Sequence, residues 1–229
     1  MNFNLQKVQL MKFYFFIQAR YSSKRLRGKV LKKIDGSTLL EILIKRLKKS
    51  KKTNKIVVLT SSTNSDRKIV SFCKKKKIHY FCGSLNNVFL RFKDAIKKYK
   101  PEKVIRISAD SPLIDWRLVD KMIGLSKKYS TYDIISNVKN RTFPKGQSVE
   151  ILDPRIFNLS SNQLTNDQKE HVTKFFYEKK KYKILNYRLK KNYNIYNLSV
   201  DEYNDYLLVS KLIKKKGIFG TWMNYVKGI

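Results

Sequence analysis

Cysteine is nearly missing from this chain: Cys73 and Cys82 are the only two in 229 residues, and they lack C-x-x-C spacing. That excludes a disulfide framework and a cysteine zinc site, and leaves buried or neutral thiols suited to a reducing compartment. Histidine is as scarce, with His79 and His171 far apart, so no zinc cluster is expected. His79, beside Tyr80 and Phe81, is expected in or near the core, and His171 at a helix start next to ligand. Acidic residues number 17 against 51 Lys and Arg, so a carboxylate at a strand end carries unusual weight. Long apolar runs are missing too: Phe13 to Ile17 and Ile56 to Leu59 fall far short of the roughly 20 residues that span a bilayer. No P-loop, nucleophile elbow or D-x-D triplet occurs, which argues against P-loop phosphate binding and covalent serine catalysis.

What is abundant is positive charge, a formal +34. A polyanion partner is the obvious reading, because lysine recruits nucleic acid through counterion release. The makeup of the charge argues otherwise. Lys outnumbers Arg by 40 to 11 and is spread from Lys7 to Lys227, in a chain also rich in Asn, Ile, Tyr and Phe. Such a bias makes every solvated face basic, so no specific nucleic-acid partner is expected.

The apolar pattern predicts alternating strands and helices. Phe13 to Ile17 reads as a strand buried on both faces, followed by a polar loop, 18–29, and a helix from Leu39 to Leu47 with Ser37 or Thr38 as cap. Strands are predicted at 55–60, 78–82 and 103–108, and helices at 65–76, 88–99 and 115–127, the last capped by Asp115. This predicts an α/β fold with a doubly wound, largely parallel sheet. Beyond Tyr129 the pattern loosens. Strands are expected at 132–137, 147–152, 182–189 and 193–200, helices at 168–179 and 205–215, and a small β-rich arm from this half.

In such a sheet, ligands lie beyond the carboxyl ends of the strands. The first of these loops holds Arg20, Ser22, Ser23, Arg25, Arg27, Gly28 and Lys29, a mixture of cations, hydroxyls and glycine suited to a triphosphate. Asp110, fixed by Ser111-Pro112 at the end of an apolar strand, suits hard-oxygen ligation of Mg²⁺. Asp201, in Asp201-Glu202 after Asn197 to Val200, is a second candidate carboxylate, with Glu202 or Asp205 expected to cap the terminal helix.

These segments together resemble a family. Gln18-Ala19-Arg20-Tyr21-Ser22-Ser23-Lys24-Arg25-Leu26-Arg27-Gly28-Lys29, Phe81-Cys82-Gly83-Ser84, Arg106-Ile107-Ser108-Ala109-Asp110-Ser111-Pro112, Pro144-Lys145-Gly146-Gln147-Ser148-Val149-Glu150, Glu170-His171-Val172-Thr173 and Ser199-Val200-Asp201-Glu202 are similar, in order, to motifs of the cytidylyltransferases that activate acidic sugars, nearest the spore coat polysaccharide biosynthesis protein F type. The resemblance implies a Rossmann-like fold of the nucleotide-diphospho-sugar transferase type and transfer of CMP from CTP to a sugar, with Mg²⁺ and release of pyrophosphate. It implies that Arg20 and Lys29 hold the triphosphate with Arg25 assisting, and that Asp110 and Asp201 bind the metal. Gly83, Ser84 and Arg91 would belong to the nucleotide or sugar pocket, and Glu150, Glu170 and His171 to the acceptor side. Arg27 stands where the family usually has proline. The expected organisation is a flexible extension over 1–12 and a single nucleotidyltransferase domain over 13–229, in which 140–200 supplies acceptor-side and candidate dimerisation elements. A cytoplasmic homodimer is expected. Two other readings stay open: the same fold with another nucleotide or a neutral or phosphorylated acceptor, and a non-enzymatic basic protein that binds nucleic acid.

Overall fold

The computed structural model describes residues 11–23 and 25–229. Of the expected N-terminal extension, residues 1–10 lie outside the described residues, as does Lys24 of the first loop. Strand β1 (Phe13–Gln18) leads through the small hairpin β2 (Lys33–Ile34) and β3 (Ser37–Thr38) to helix α1 (Leu39–Leu47). Then come β4 (Ile56–Ser61), α2 (Arg67–Lys75), β5 (His79–Gly83), α3 (Val88–Tyr99), β6 (Lys103–Ser108) and α4 (Trp116–Lys128). The second half adds β7 (Ile134–Ser136), β8 (Glu150–Leu152), α5 (Asn166–Glu170), α6 (Lys174–Glu178), β9 (Ile184–Asn186), α7 (Tyr203–Lys216) and α8 (Trp222–Val226).

One seven-stranded sheet, ordered β5-β4-β1-β6-β8-β7-β9, organises the molecule. The pairs β5/β4, β4/β1 and β1/β6 are parallel, whereas β8 runs antiparallel to both β6 and β7. The chain builds outward from β1 to β5, then returns to the other side of β1 with β6. The carboxyl ends of β1 and β6 therefore flank the switch point, where open α/β sheets leave a crevice. The β-rich contribution of the second half takes the form of three short strands at the opposite edge of the sheet.

Alternation along β1 explains its burial on both faces. Phe13, Phe15 and Ile17 pack in one core cluster with Leu40 and Leu43 of α1 and Val119 and Met122 of α4. Phe16 faces the other cluster, with Phe89 and Phe92 of α3 and Phe157 and Phe176. Truncating such a phenylalanine to alanine costs about 3–5 kcal/mol. Helix starts follow the expected caps: Thr38 Oγ1 accepts from the Glu41 N–H at 3.1 Å, and Asp115 Oδ1 from the Arg117 N–H at 3.0 Å. Asp205 Oδ2 accepts from the N–H groups of Asp201 and Glu202 at 2.8 and 2.9 Å. That leaves the Asp201 carboxylate uncommitted to capping.

Three expectations need correction. The helix over 168–179 is two short helices, because at His171 the backbone leaves helical angles (φ −96°, ψ 80°) and Val172 turns fully into the core. The segment 193–200 is no strand among the described residues. It touches 144–146 through a single bridge, Lys145 with Asn197, and follows the backbone of Gly146 closely. His79 is exposed, since it opens β5 at the sheet's edge, where no further strand covers it.

Candidate active site

The loop after β1 is pinned at both ends. Asp66, fully buried, accepts from the N–H of Tyr21 at 2.6 Å through one oxygen and from the N–H of Ser61 at 2.9 Å through the other. At the far end Gly28 has φ +69° and donates its N–H to the Tyr21 carbonyl at 2.8 Å. A Cβ on Gly28 would meet the Tyr21 ring at 2.8 Å, so only glycine closes this turn without displacing the ring. The closure directs Lys29 inward, where it is 8% exposed.

Two carboxylates meet the Lys29 ammonium there. Its Nζ lies 2.9 Å from Asp201 and 3.7 Å from Asp110. Lys145 Nζ takes the other oxygen of Asp201 at 2.7 Å, and Arg25 Nη2 lies 3.0 Å from Asp201. Burial opposes the charge of Asp201, but hydrogen bonds from Lys145 and Lys29 outweigh it and hold its pKa down at about 2. The backbone secures the arrangement: the Val200 N–H donates to the Asp110 carbonyl at 2.7 Å. Gly146, at φ +88°, lies so close to the Leu198 carbonyl carbon that a Cβ would stand 2.6 Å away. That approach brings Lys145 to Asp201.

Two adjoining cavities open here. One, of about 500 Å³, is walled by Arg20, Ser23, Arg25, Lys29 and Arg91. The other, of about 600 Å³, is walled by Arg141, Lys145, Glu150, Lys174 and Tyr177. Both reach Arg106, Ser108, Asp110, His171 and Asp201. A basic chamber therefore abuts a mixed one, with the two aspartates at their boundary. This suits the transfer of a group between an anionic donor and a second substrate.

Residues 14–213 match the family described as cytidylyltransferase. The chain belongs to the cytidylyltransferase family. It is accordingly a nucleotidyltransferase enzyme. The spore coat polysaccharide biosynthesis protein SpsF of Bacillus subtilis is 32% identical to it over 213 residues, 89% of this chain and 87% of its own. The 3-deoxy-manno-octulosonate cytidylyltransferase of Fusobacterium nucleatum is 32% identical over 123 residues, 52% of this chain and 47% of its own. A solved cytidylyltransferase from Leptospira borgpetersenii superposes with a TM-score of 0.90 at 30% identity, covering 96% of this chain and 94% of that one.

Within this cytidylyltransferase, Arg20, Arg25, Lys29, Asp110 and Asp201 come together around the first cavity. Glu170 is there too, with Arg20 Nη1 at 3.3 Å, and His171 borders both cavities. Glu150 is buried on the second side, paired with Arg106 and accepting from the Tyr177 hydroxyl at 2.8 Å. Burial, reinforced by the Glu150 charge, pushes the Tyr177 phenol well above its ordinary pKa. Ser22 is exposed, and the cavity wall carries Ser23 in its place. Gly83 and Ser84 stand behind the wall. Arg91, 1% exposed, donates from Nε and Nη2 to the Ser84 carbonyl at 2.9 and 2.6 Å, and a Cβ on Gly83 would meet Arg91 Cγ at 2.7 Å. Burial lowers the Arg91 pKa to about 10. Arg27 is exposed, and Gly28 makes the turn beside it.

Four participants carry no assigned role in the sequence reading: Asp66, Arg106, Lys145 and Tyr177. Arg106 had a signal, as a lone arginine inside the apolar run of β6. Lys145 stands in the Pro144-Lys145-Gly146 motif, but as one lysine among 40 its chemistry gave no reason to assign it a role. Asp66 falls at the start of the helix predicted over 65–76, a position that gives no sign of its contacts with Tyr21 and Ser61.

Among the described residues no group of three or more His, Cys, Asp or Glu side chains converges on a metal-sized site. The two converging carboxylates, Asp110 and Asp201, already share one cation, the Lys29 ammonium. Hard oxygen donors around a shared positive charge fit Mg²⁺, which takes one or two protein carboxylates and completes its shell with phosphate and water. No helix among the described residues is long and apolar enough to cross a membrane.

Proposed function

We propose that the protein transfers CMP from CTP to a hydroxyl of an acidic sugar and releases pyrophosphate, in the biosynthesis of a surface polysaccharide. The observation that carries this reading is the convergence of Arg20, Arg25 and Lys29 with Asp110 and Asp201 where the two cavities join. The names of the Bacillus and Fusobacterium relatives support the polysaccharide and the acidic sugar.

In this reading the triphosphate occupies the basic cavity. The sugar lies in the other, with its hydroxyl in line with the α-phosphorus. The hydroxyl oxygen forms a bond to that phosphorus as the bond to the β-phosphate oxygen breaks, pyrophosphate leaves with that oxygen, and the hydroxyl proton is lost to solvent water. Arg20, Arg25 and Lys29 exchange their carboxylate partners for phosphate oxygens and stabilise the charge that develops on the leaving pyrophosphate, an electrostatic contribution that requires no covalent intermediate. Asp110 and Asp201 would hold Mg²⁺, which when bound neutralises phosphate charge and orients the reacting groups. Arg91 positions the loop after β5 behind the nucleotide cavity, and Glu150 holds Arg106 at the boundary. Residues 140–200 serve the acceptor side, as part of a single domain that starts near Phe13. A cytoplasmic homodimer is also proposed, and Tyr203 and Leu207, exposed about one turn apart on α7, offer apolar side chains for such a contact.

Pyrophosphate release with Mg²⁺, measured for each of four nucleoside triphosphates against acidic and neutral sugars, tests the reading. Release that requires both CTP and an acidic sugar is the expected result. Release with another triphosphate, or with a neutral or phosphorylated acceptor alone, replaces it with that chemistry.

A further inference from the structure

The cations lining the second cavity are matched by carboxylates with one exception. Arg106 pairs with Glu150, Lys145 with Asp201, and Lys174 with Asp167 and Glu178. Arg141 lines the same cavity, on the loop between β7 and β8, and forms no ion pair among the described residues. Its side chain makes one hydrogen bond there, from Nη1 to Ser148 Oγ at 3.0 Å. The guanidinium is half-buried, and burial lowers its pKa although Glu150 and Tyr177 oppose the shift. A guanidinium carries five N–H donors, and removing it partly from water with no carboxylate in direct contact leaves most of those donors for an incoming anion.

We propose that Arg141 and Ser148 form an anion subsite that receives a carboxylate or phosphate carried by the acceptor, on the part of the second cavity that the nucleotide cavity does not share. The placement of an acceptor there rests on the CMP-transfer reading; the anion chemistry rests on Arg141 itself. The planar fork of arginine matches two oxygens of one anionic group, and the Ser148 hydroxyl is free to donate to one of them. A neutral acceptor leaves the guanidinium unpaired, so anionic acceptors are favoured by roughly tenfold or more. Lysines elsewhere on a chain of charge +34 also attract anions, so the test must read Arg141's own atoms.

The Nε–H signals of the arginines in the full-length protein, observed by ¹⁵N NMR, provide that readout. Arg141→Lys identifies the Arg141 signal by its loss while retaining a cation, and Arg141→Gln serves the same purpose if the lysine variant folds poorly. The free wild-type protein is titrated with acetate and, separately, with inorganic phosphate, at constant ionic strength set by chloride. The expected result is a saturable shift of the Arg141 signal, with the stronger of the two anions naming carboxylate or phosphate as the group received. No shift with either anion overturns the subsite. CTP binding, measured by calorimetry in parallel, tests the parent reading separately: a protein that shifts its Arg141 signal but binds no CTP retains the subsite and loses the CMP-transfer reading.

Discussion

The backbone N–H of Val200 donates to the carbonyl of Asp110 at 2.7 Å, which ties together two segments about ninety positions apart in the sequence. The carboxylates of Asp110 and of Asp201, the residue after Val200, thereby approach one ammonium, that of Lys29, at 3.7 and 2.9 Å. Alignment of these two groups depends on main-chain contacts as much as on the side chains themselves.

Gly146 is where that dependence is most exposed. It has φ +88°, and a Cβ would lie 2.6 Å from the Leu198 carbonyl carbon, whereas Gly36 has φ +77° with nothing within 4 Å. Both positions strain any L-residue, but only Gly146 adds a backbone collision. Gly36→Ala is expected to lose about 1–3 kcal/mol from its left-handed conformation, and Gly146→Ala more than that. Thermal denaturation compares the two; equal losses would show that the close approach contributes nothing.

Glu170 holds Arg20 at 3.3 Å, and both side chains are about half exposed. Exposed ion pairs contribute about 0–1 kcal/mol, so releasing the arginine gives a small effect. Glu170→Gln is expected to tighten CTP binding by up to about fivefold at low salt, with the difference shrinking as salt rises. Weaker CTP binding in this variant would indicate that Glu170 assists the nucleotide instead of competing with it.

Acid stability tests a pair remote from the site. Asp153 accepts from Lys103 Nζ at 2.8 Å and from Arg155 Nε at 2.9 Å. Burial works against its charge, but the Arg155 and Lys103 hydrogen bonds outweigh it, and its pKa falls to about 2 from an ordinary 3.8. Because the folded value is the lower one, this stabilisation is complete above the ordinary value and is lost as pH falls from 3.8 towards about 2. Asp153→Asn should therefore show a shallower decline of Tm with acidification in that window. Part of the slope should survive, since Asp201 titrates over the same range. An unchanged slope would contradict the assignment.

The parts of the architecture that were legible in the sequence are those set by local pattern. Phe13 to Ile17 reads as a doubly buried strand because its alternating faces meet two apolar layers. Asp115 reads as a cap because it precedes a helix, and Asp205, one of the two residues expected to cap the terminal helix, takes part in capping α7 and leaves Asp201 available, although the strand predicted just before Asp201 does not form among the described residues. What was hidden depends on contacts between distant segments. Asp66 serves Tyr21 across the sheet's carboxyl edge, and nothing near Asp66 in the chain announces it. Asp115 also accepts from the Trp222 N–H at 3.0 Å, tying α8 to α4. The break at His171 follows from Val172 entering the core, a tertiary demand that overrides a helical stretch.

Pyrophosphate release from CTP and an accepted sugar by Asp110→Asn and Asp201→Asn, with Tm and CTP affinity measured on the same samples, tests whether the two carboxylates take part in the chemistry. Each variant keeps the side-chain shape and removes a charge where the two cavities join. The expected result is a loss of turnover of at least about a hundredfold, the scale of a transition-state electrostatic contact, with CTP affinity changed far less and the fold intact. Turnover within a few-fold of the unaltered protein in both variants would contradict the account, because the two carboxylates would then have no part in the chemistry.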